Sequence, residues 1–105
     1  MIELTPAEVA ARLDRGDALV MLDCREAEEL ERASLRGAVH VPLRDLPERA
    51  TDLDPEAEYV IVCHHGISSA RAAGYLLGLE FERVYNLRGG IDAWSRDVDP
   101  TIPRY

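Results

Sequence analysis

The chain has 105 residues, a formal net charge of −8, a hydrophobic fraction of 47% and a charged fraction of 30%. Its length suits one compact core spanning residues 1–105 and is too short for two, and its composition excludes a disordered or fibrous chain. The acidic balance excludes nucleic acid and anionic membranes as general electrostatic partners, because both would repel it.

The opening residues Met1-Ile2-Glu3-Leu4 lack a basic region and a long apolar run, and no stretch approaches the ~18 apolar residues that a membrane span requires. The expectation is a cytoplasmic protein, monomeric by default. Two cysteines in such a chain do not read as a disulfide framework. All 12 basic residues are Arg, and Asn86 is the only Asn; a hot habitat and a GC-rich genome explain this equally well.

Thr5-Pro6-Ala7-Glu8 predicts a helix start, with a hydroxyl at the N-cap, Pro at the first helical position and Glu three residues after the cap. Val9, Ala10 and Leu13 supply its apolar stripe, and Gly16-Asp17 closes it ahead of the buried strand Ala18–Leu22. Residues Glu26 to Arg32 read as a short helix, and Ala38–Val41 as a brief strand closed by Pro42. Leu43 to Ala50 holds a helical turn or two, limited by Pro47. A second buried strand follows at Tyr59–Cys63, then a helix over Ser69–Leu77 with Gly78 placed to end it. Val84–Asn86 reads as a strand and Ile91 to Arg96 as a last short helix.

Apolar rather than alternating strands, interleaved with helices, predict an α/β fold. Its mostly parallel central sheet has about five short strands and helices on both faces. Ligands of such sheets bind beyond the carboxyl ends of the strands, where Cys63-His64-His65-Gly66-Ile67-Ser68 lies. The loop leads into a helix whose first N–H groups lack intrahelical partners and favour a thiolate, a persulfide or an oxyanion. Gly66 permits the tight backbone that such a ring of amides needs. On these grounds alone Cys63 reads as a nucleophile or as the last core residue of its strand.

Four ordered segments carry a resemblance to the single-domain rhodanese-like sulfurtransferases over nearly the whole chain. They are Asp23-Cys24-Arg25-Glu26-Ala27-Glu28-Glu29, Leu35-Arg36-Gly37-Ala38-Val39-His40-Val41-Pro42, the loop Cys63–Ser68 with Ser69, and Asn86-Leu87-Arg88-Gly89-Gly90-Ile91-Asp92-Ala93-Trp94. The last is the most specific. Two positions depart from the family pattern: Ser34 stands where His is usual and Ser68 where many members have Arg.

The resemblance implies a double displacement at Cys63. Its thiolate takes the outer sulfur of thiosulfate or a persulfide, and passes it to a thiol or protein acceptor. His64, His65, Gly66, Ile67, Ser68 and Ser69 form the substrate-binding loop; Arg36, Arg71 and Arg88 are candidates for a basic rim, with solvated surface as the alternative.

Asp23, Arg25 and Glu29 are expected as structural support, with Arg25 and Glu29 pairing at helical spacing. Cys24 reads as core filler and His40 as a strand residue without chemistry. No cofactor is implied. No metal is expected either, because adjacent His side chains on a tight loop should diverge. The competing readings are a non-catalytic interaction module and, further off, a Cys-based phosphatase or arsenate reductase, whose longer loop ends in an oxyanion-gripping Arg.

Overall fold

The apolar runs near 20 and 60 become neighbouring strands in the computed structural model, which describes residues 1–105. In chain order the elements are β1 (Ile2–Leu4), α1 (Pro6–Asp14), β2 (Leu19–Asp23), α2 (Ala27–Arg32), β3 (Val39–His40), α3 (Leu46–Arg49), β4 (Glu58–Val62), α4 (Ser68–Gly78), β5 (Arg83–Leu87) and α5 (Gly90–Asp97). The strands form one sheet in the order β1-β5-β4-β2-β3, with every pairing parallel. No helix is long and apolar enough to cross a membrane.

Both faces of the sheet are covered, as the continuous apolar strands require. Along β4, Tyr59 and Ile61 enter a cluster with Ala72, Ala73 and Leu76 of α4 and Leu46 of α3. Val60 and Val62 enter another with Val9 of α1 and Ile91 and Trp94 of α5. Each fully buried Leu, Ile or Val contributes about 1.5–3 kcal/mol by leaving water.

The predicted capping box at Thr5 forms: Thr5 N–H donates to Glu8 Oε1 (3.0 Å) and Glu8 N–H to Thr5 Oγ1 (3.2 Å). Several boundaries differ from expectation. β1 is an exposed edge strand whose only half-buried residue is Leu4, so its sequence lacks the apolar run that marks the inner strands. Cys63 lies one residue beyond β4.

Gly78 remains inside α4, and the left-handed residue after the helix is Glu80, at φ +70°. Phe81 N–H closes on Leu76 C=O and Glu80 N–H on Leu77 C=O, both at 3.1 Å, so the paired hydrogen bonds of the turn are strong enough to hold a non-glycine residue there.

Strand order decides where chemistry can occur. From β2 the chain runs outward to β3, whereas from β4 it runs the other way to β5, so the loops after β2 and β4 part and leave a crevice at their carboxyl ends. α5 fixes the loop after β4. Ile91 N–H donates to Cys63 C=O (2.8 Å) and Asp92 N–H to His64 C=O (3.1 Å). Gly90 makes that approach possible: its φ is +64°, and a Cβ there would sit 2.4 Å from both carbonyl oxygens.

The loop after β2 is fixed by a buried ion pair. Arg25 Nη2 meets Asp23 Oδ2 at 2.7 Å, with both side chains 1% exposed. The guanidinium also donates to Ala33 C=O (2.8 Å) and Tyr105 Oη (2.8 Å), and Arg25 C=O accepts from His40 Nε2 (2.6 Å). Burial works against the guanidinium charge, but hydrogen bonds to Asp23 and Tyr105 outweigh it and hold Arg25 above the ordinary arginine range. The expected Arg25–Glu29 side-chain pair does not form. Glu29 accepts instead from Glu26 N–H (3.2 Å) and Tyr105 O–H (2.9 Å), and Arg25 reaches only its carbonyl (3.4 Å).

Removing one partner strands the other charge in the core, so Arg25→Leu should lower the unfolding free energy in urea by about 3–5 kcal/mol, and the double variant with Asp23→Leu should recover much of the loss. Gly90→Ala adds about 1–2 kcal/mol of left-handed strain to a collision with the loop after β4. It should therefore lower thermal stability and also slow Cys63 alkylation.

Candidate active site

Cys63 follows the central strand directly, so its side chain is held by sheet rather than by mobile loop. Only 4% of the residue is exposed, and it opens into a crevice of about 380 Å³ at the parting of the β2 and β4 loops. Gly66 N–H donates to Sγ at 3.1 Å, and Ser69 Oγ lies 3.1 Å from Sγ on the other side. Gly66 takes φ +93° to turn its amide back on the sulfur, and a Cβ there would press 3.1 Å from Gly89 N.

The rest of the expected loop surrounds the same crevice. His64, His65, Ile67 and Ser68 line it, with Ile67 73% exposed and Ser68 opening α4. Gly66 and Ser69 act on the sulfur directly, through the contacts given above. The amides at the start of α4 have no intrahelical acceptor, so donors remain for an anion held beside Cys63.

The two histidines do not diverge as expected. Their ring centroids lie 3.9 Å apart, and His64 also stacks on Tyr105 at 3.8 Å and 9°. His64 Nε2 donates to the Tyr105 main-chain oxygen (2.5 Å), which leaves that nitrogen occupied. No group of three His, Cys, Asp or Glu side chains is arranged to hold a metal ion.

The opposite wall comes from the β2 loop: Cys24, Arg25, Glu26 and Glu29, with Leu43 beyond them. Cys24 is therefore both core, at 3% exposed, and wall. Burial, reinforced by negative charge on Cys63 and Asp23, pushes its thiol up to about 12, so it stays protonated and a poor nucleophile near neutral pH. The parallel register places it there: Asp23 pairs with Val62, and Cys24 N–H donates to Val62 C=O (2.9 Å).

The three candidate rim arginines do not reach the crevice. Arg36, Arg71 and Arg88 are exposed and absent from its lining, and Arg88 is drawn towards Glu3 at 3.3 Å. Arg25 is the one arginine that lines the crevice, and it is paired with Asp23.

Sequence reasoning also missed a polar chain behind Cys63. Ser69 O–H donates to Asn86 Oδ1 (2.5 Å), and Asn86 Nδ2 donates to Gly66 C=O (3.0 Å) and Glu3 Oε2 (3.1 Å). The one asparagine of the chain, placed between Tyr85 and Leu87 in a strand, was the available signal. For Tyr105, eighty residues from Arg25, there was none.

Comparison with known proteins agrees with this fold. The family model for the Rhodanese-like domain matches residues 5–97. The putative sulfurtransferase YtwF of Bacillus subtilis is 33% identical over 98 residues, 93% of this chain and 94% of that protein. The thiosulfate sulfurtransferase GlpE of Glaesserella parasuis is 31% identical over 98 residues, 93% of this chain and 90% of its own length. The Rhodanese-like/PpiC domain-containing protein 12 of Arabidopsis thaliana is 40% identical over 93 residues, but the chain spans only 31% of it. Among solved structures, a rhodanese-related protein from Thermoplasma volcanium superposes with a TM-score of 0.86 at 26% identity, with 100% of both chains covered. With its parallel sheet, its cysteine at the end of the central strand and these relatives, the chain belongs to the rhodanese-like family, and two of the relatives named here are called sulfurtransferases.

Proposed function

We propose that the protein is a sulfurtransferase that carries a sulfane sulfur on Cys63 as a persulfide. The observation that supports this best is the setting of Sγ, at the floor of an open crevice and hydrogen-bonded by a loop amide at 3.1 Å. In the loading step, Cys63 thiolate attacks the outer sulfur of a donor; the new S–S bond forms as the donor's own bond to that sulfur breaks, and its electron pair leaves with sulfite or a thiolate. In the second step an acceptor thiolate attacks the outer sulfur of the persulfide and Cys63 leaves as thiolate. Charge and atoms balance in both steps, and neither calls for a metal or organic cofactor.

The charges around the crevice favour a persulfide over thiosulfate as donor. Glu26 and Glu29 line it, Arg25 is already paired, and Ser68 occupies the position where the family resemblance leads one to expect a loop Arg. A dianion gains little there. The acceptor is a small thiol or a protein thiol, and a chain of net charge −8 suits a partner with a basic surface, met in the cytoplasm. A phosphatase reading has less support, because it needs the oxyanion-gripping Arg that this loop lacks. A purely binding role leaves the partnered Cys63 sulfur unexplained.

Exposure to a persulfide donor should add one sulfur to the intact mass. Cys63→Ser should abolish the addition while Cys24→Ser retains it, and an unchanged mass with several donors would sink the proposal. Ser68→Arg should raise kcat/KM for thiosulfate roughly fivefold, since an exposed charge pair is worth about 1 kcal/mol; no gain would show that charge at this position is not limiting.

A further inference from the structure

Cys63, Ser69 and Asn86 form a buried line, with exposures of 4%, 0% and 1%. Sγ lies 3.1 Å from Ser69 Oγ, and Oγ lies 2.5 Å from Asn86 Oδ1. A serine hydroxyl has one proton, so it donates either to the sulfur or to Asn86 and never fully to both.

The orientation of the Asn86 amide decides the matter. Its Nδ2 group faces Gly66 C=O at 3.0 Å and the Glu3 carboxylate at 3.1 Å, and both are acceptors only. Turning the amide over would set its oxygen against both and leave the nitrogen facing Ser69. Oδ1 is therefore locked towards Ser69 and draws the hydroxyl proton. If the proton turned to the sulfur, Oδ1 would be left unpaired in the core, at a cost of about 1–3 kcal/mol.

We propose that Asn86 is a positioning residue for the sulfur chemistry: by holding the Ser69 proton it makes Ser69 an acceptor towards Cys63, serving the thiol and withholding a hydrogen bond from the thiolate. This rests on the sulfur-transfer reading for its purpose, though not for its test. A thiolate served by Gly66 N–H alone is less stabilised and more nucleophilic.

Relative to the thiolate, loading relieves the opposed lone pairs, because Sγ becomes a bridging sulfur and the charge moves to the outer one. With a persulfide anion as donor, Cys63 gives up its proton, the bond from Sγ to the outer sulfur forms, the donor's S–S bond breaks, and that proton ends on the leaving sulfur.

The experiment is the pH dependence of Cys63 alkylation by iodoacetamide, read by peptide mass, in the wild type, Ser69→Ala, Asn86→Leu and the double variant. Cys24, Arg25, Glu26, Glu29, His64 and His65 share the crevice with the sulfur, Asp23 acts on the neighbouring Cys24, Glu3 accepts from Asn86, and Arg88 pairs with Glu3. All are unchanged among the variants, and the Ser69→Ala background separates the relay through Ser69 from the loss of the Asn86–Gly66 hydrogen bond.

Asn86→Leu frees the hydroxyl to serve the thiolate and should lower the midpoint by about one pH unit. In the Ser69→Ala background the same substitution should have no further effect, and Ser69→Ala alone should not raise the midpoint. A rise on Ser69→Ala would show that the hydroxyl already serves the thiolate and would overturn the proposal. So would an Asn86→Leu effect that is absent, or equal with and without Ser69. If Asn86→Leu fails to fold, the sign of the Ser69→Ala shift decides alone. No sulfur donor is used, so this result stands apart from that of the loading experiment.

Discussion

Two hydrogen bonds from the first turn of α5 to the carbonyls of Cys63 and His64 hold the reactive segment in place. They bring one chain segment into contact with another at a distance that no side chain at residue 90 would permit. With those carbonyls fixed, the loop must turn at Gly66, and the turn sends its amide back to the sulfur. The run from Asn86 to Trp94 is therefore as much a part of the site as the loop that carries the thiol, although none of its side chains lines the crevice. Asn86 adds a second tie by accepting from Ser69 and donating to Gly66 C=O.

The other wall depends on a different interaction. Asp23 and Arg25 neutralise each other in the core, so the β2 loop is rigid and carries no free cation. Glu26 and Glu29 then give the mouth of the crevice an acidic character that matches the whole chain. Under the proposed function, such a site would handle sulfur through backbone amides and a shaped pocket rather than a strong positive field, and would suit a weakly charged donor or a sulfur presented by a partner protein better than a free dianion.

Much of this was legible in the residues. The capping box at Thr5, the buried strands around Leu22 and Ile61, and the strand-loop-helix setting of Cys63 each follow from local chemistry, because local pattern and tertiary environment agree there. Failures arose where distant segments decide. β1 forms because β5 offers it an edge, not because Ile2–Leu4 prefers strand.

Glu29 is drawn away from Arg25 by the start of its own helix and by Tyr105, and Arg88 is drawn away from the site by Glu3. The wall position of Cys24 needed the register of β2 against β4, which no single segment encodes.

The proposed function requires the Cys63 loop to cradle a sulfane sulfur with its own amides. A crystal structure after exposure to a persulfide donor is the test: one added sulfur is expected on Cys63, with the outer atom at hydrogen-bonding distance from backbone N–H groups of residues 64–69 and no change at Cys24. Added sulfur on Cys24, or an outer sulfur on Cys63 turned away from those amides and held by side chains alone, would contradict it.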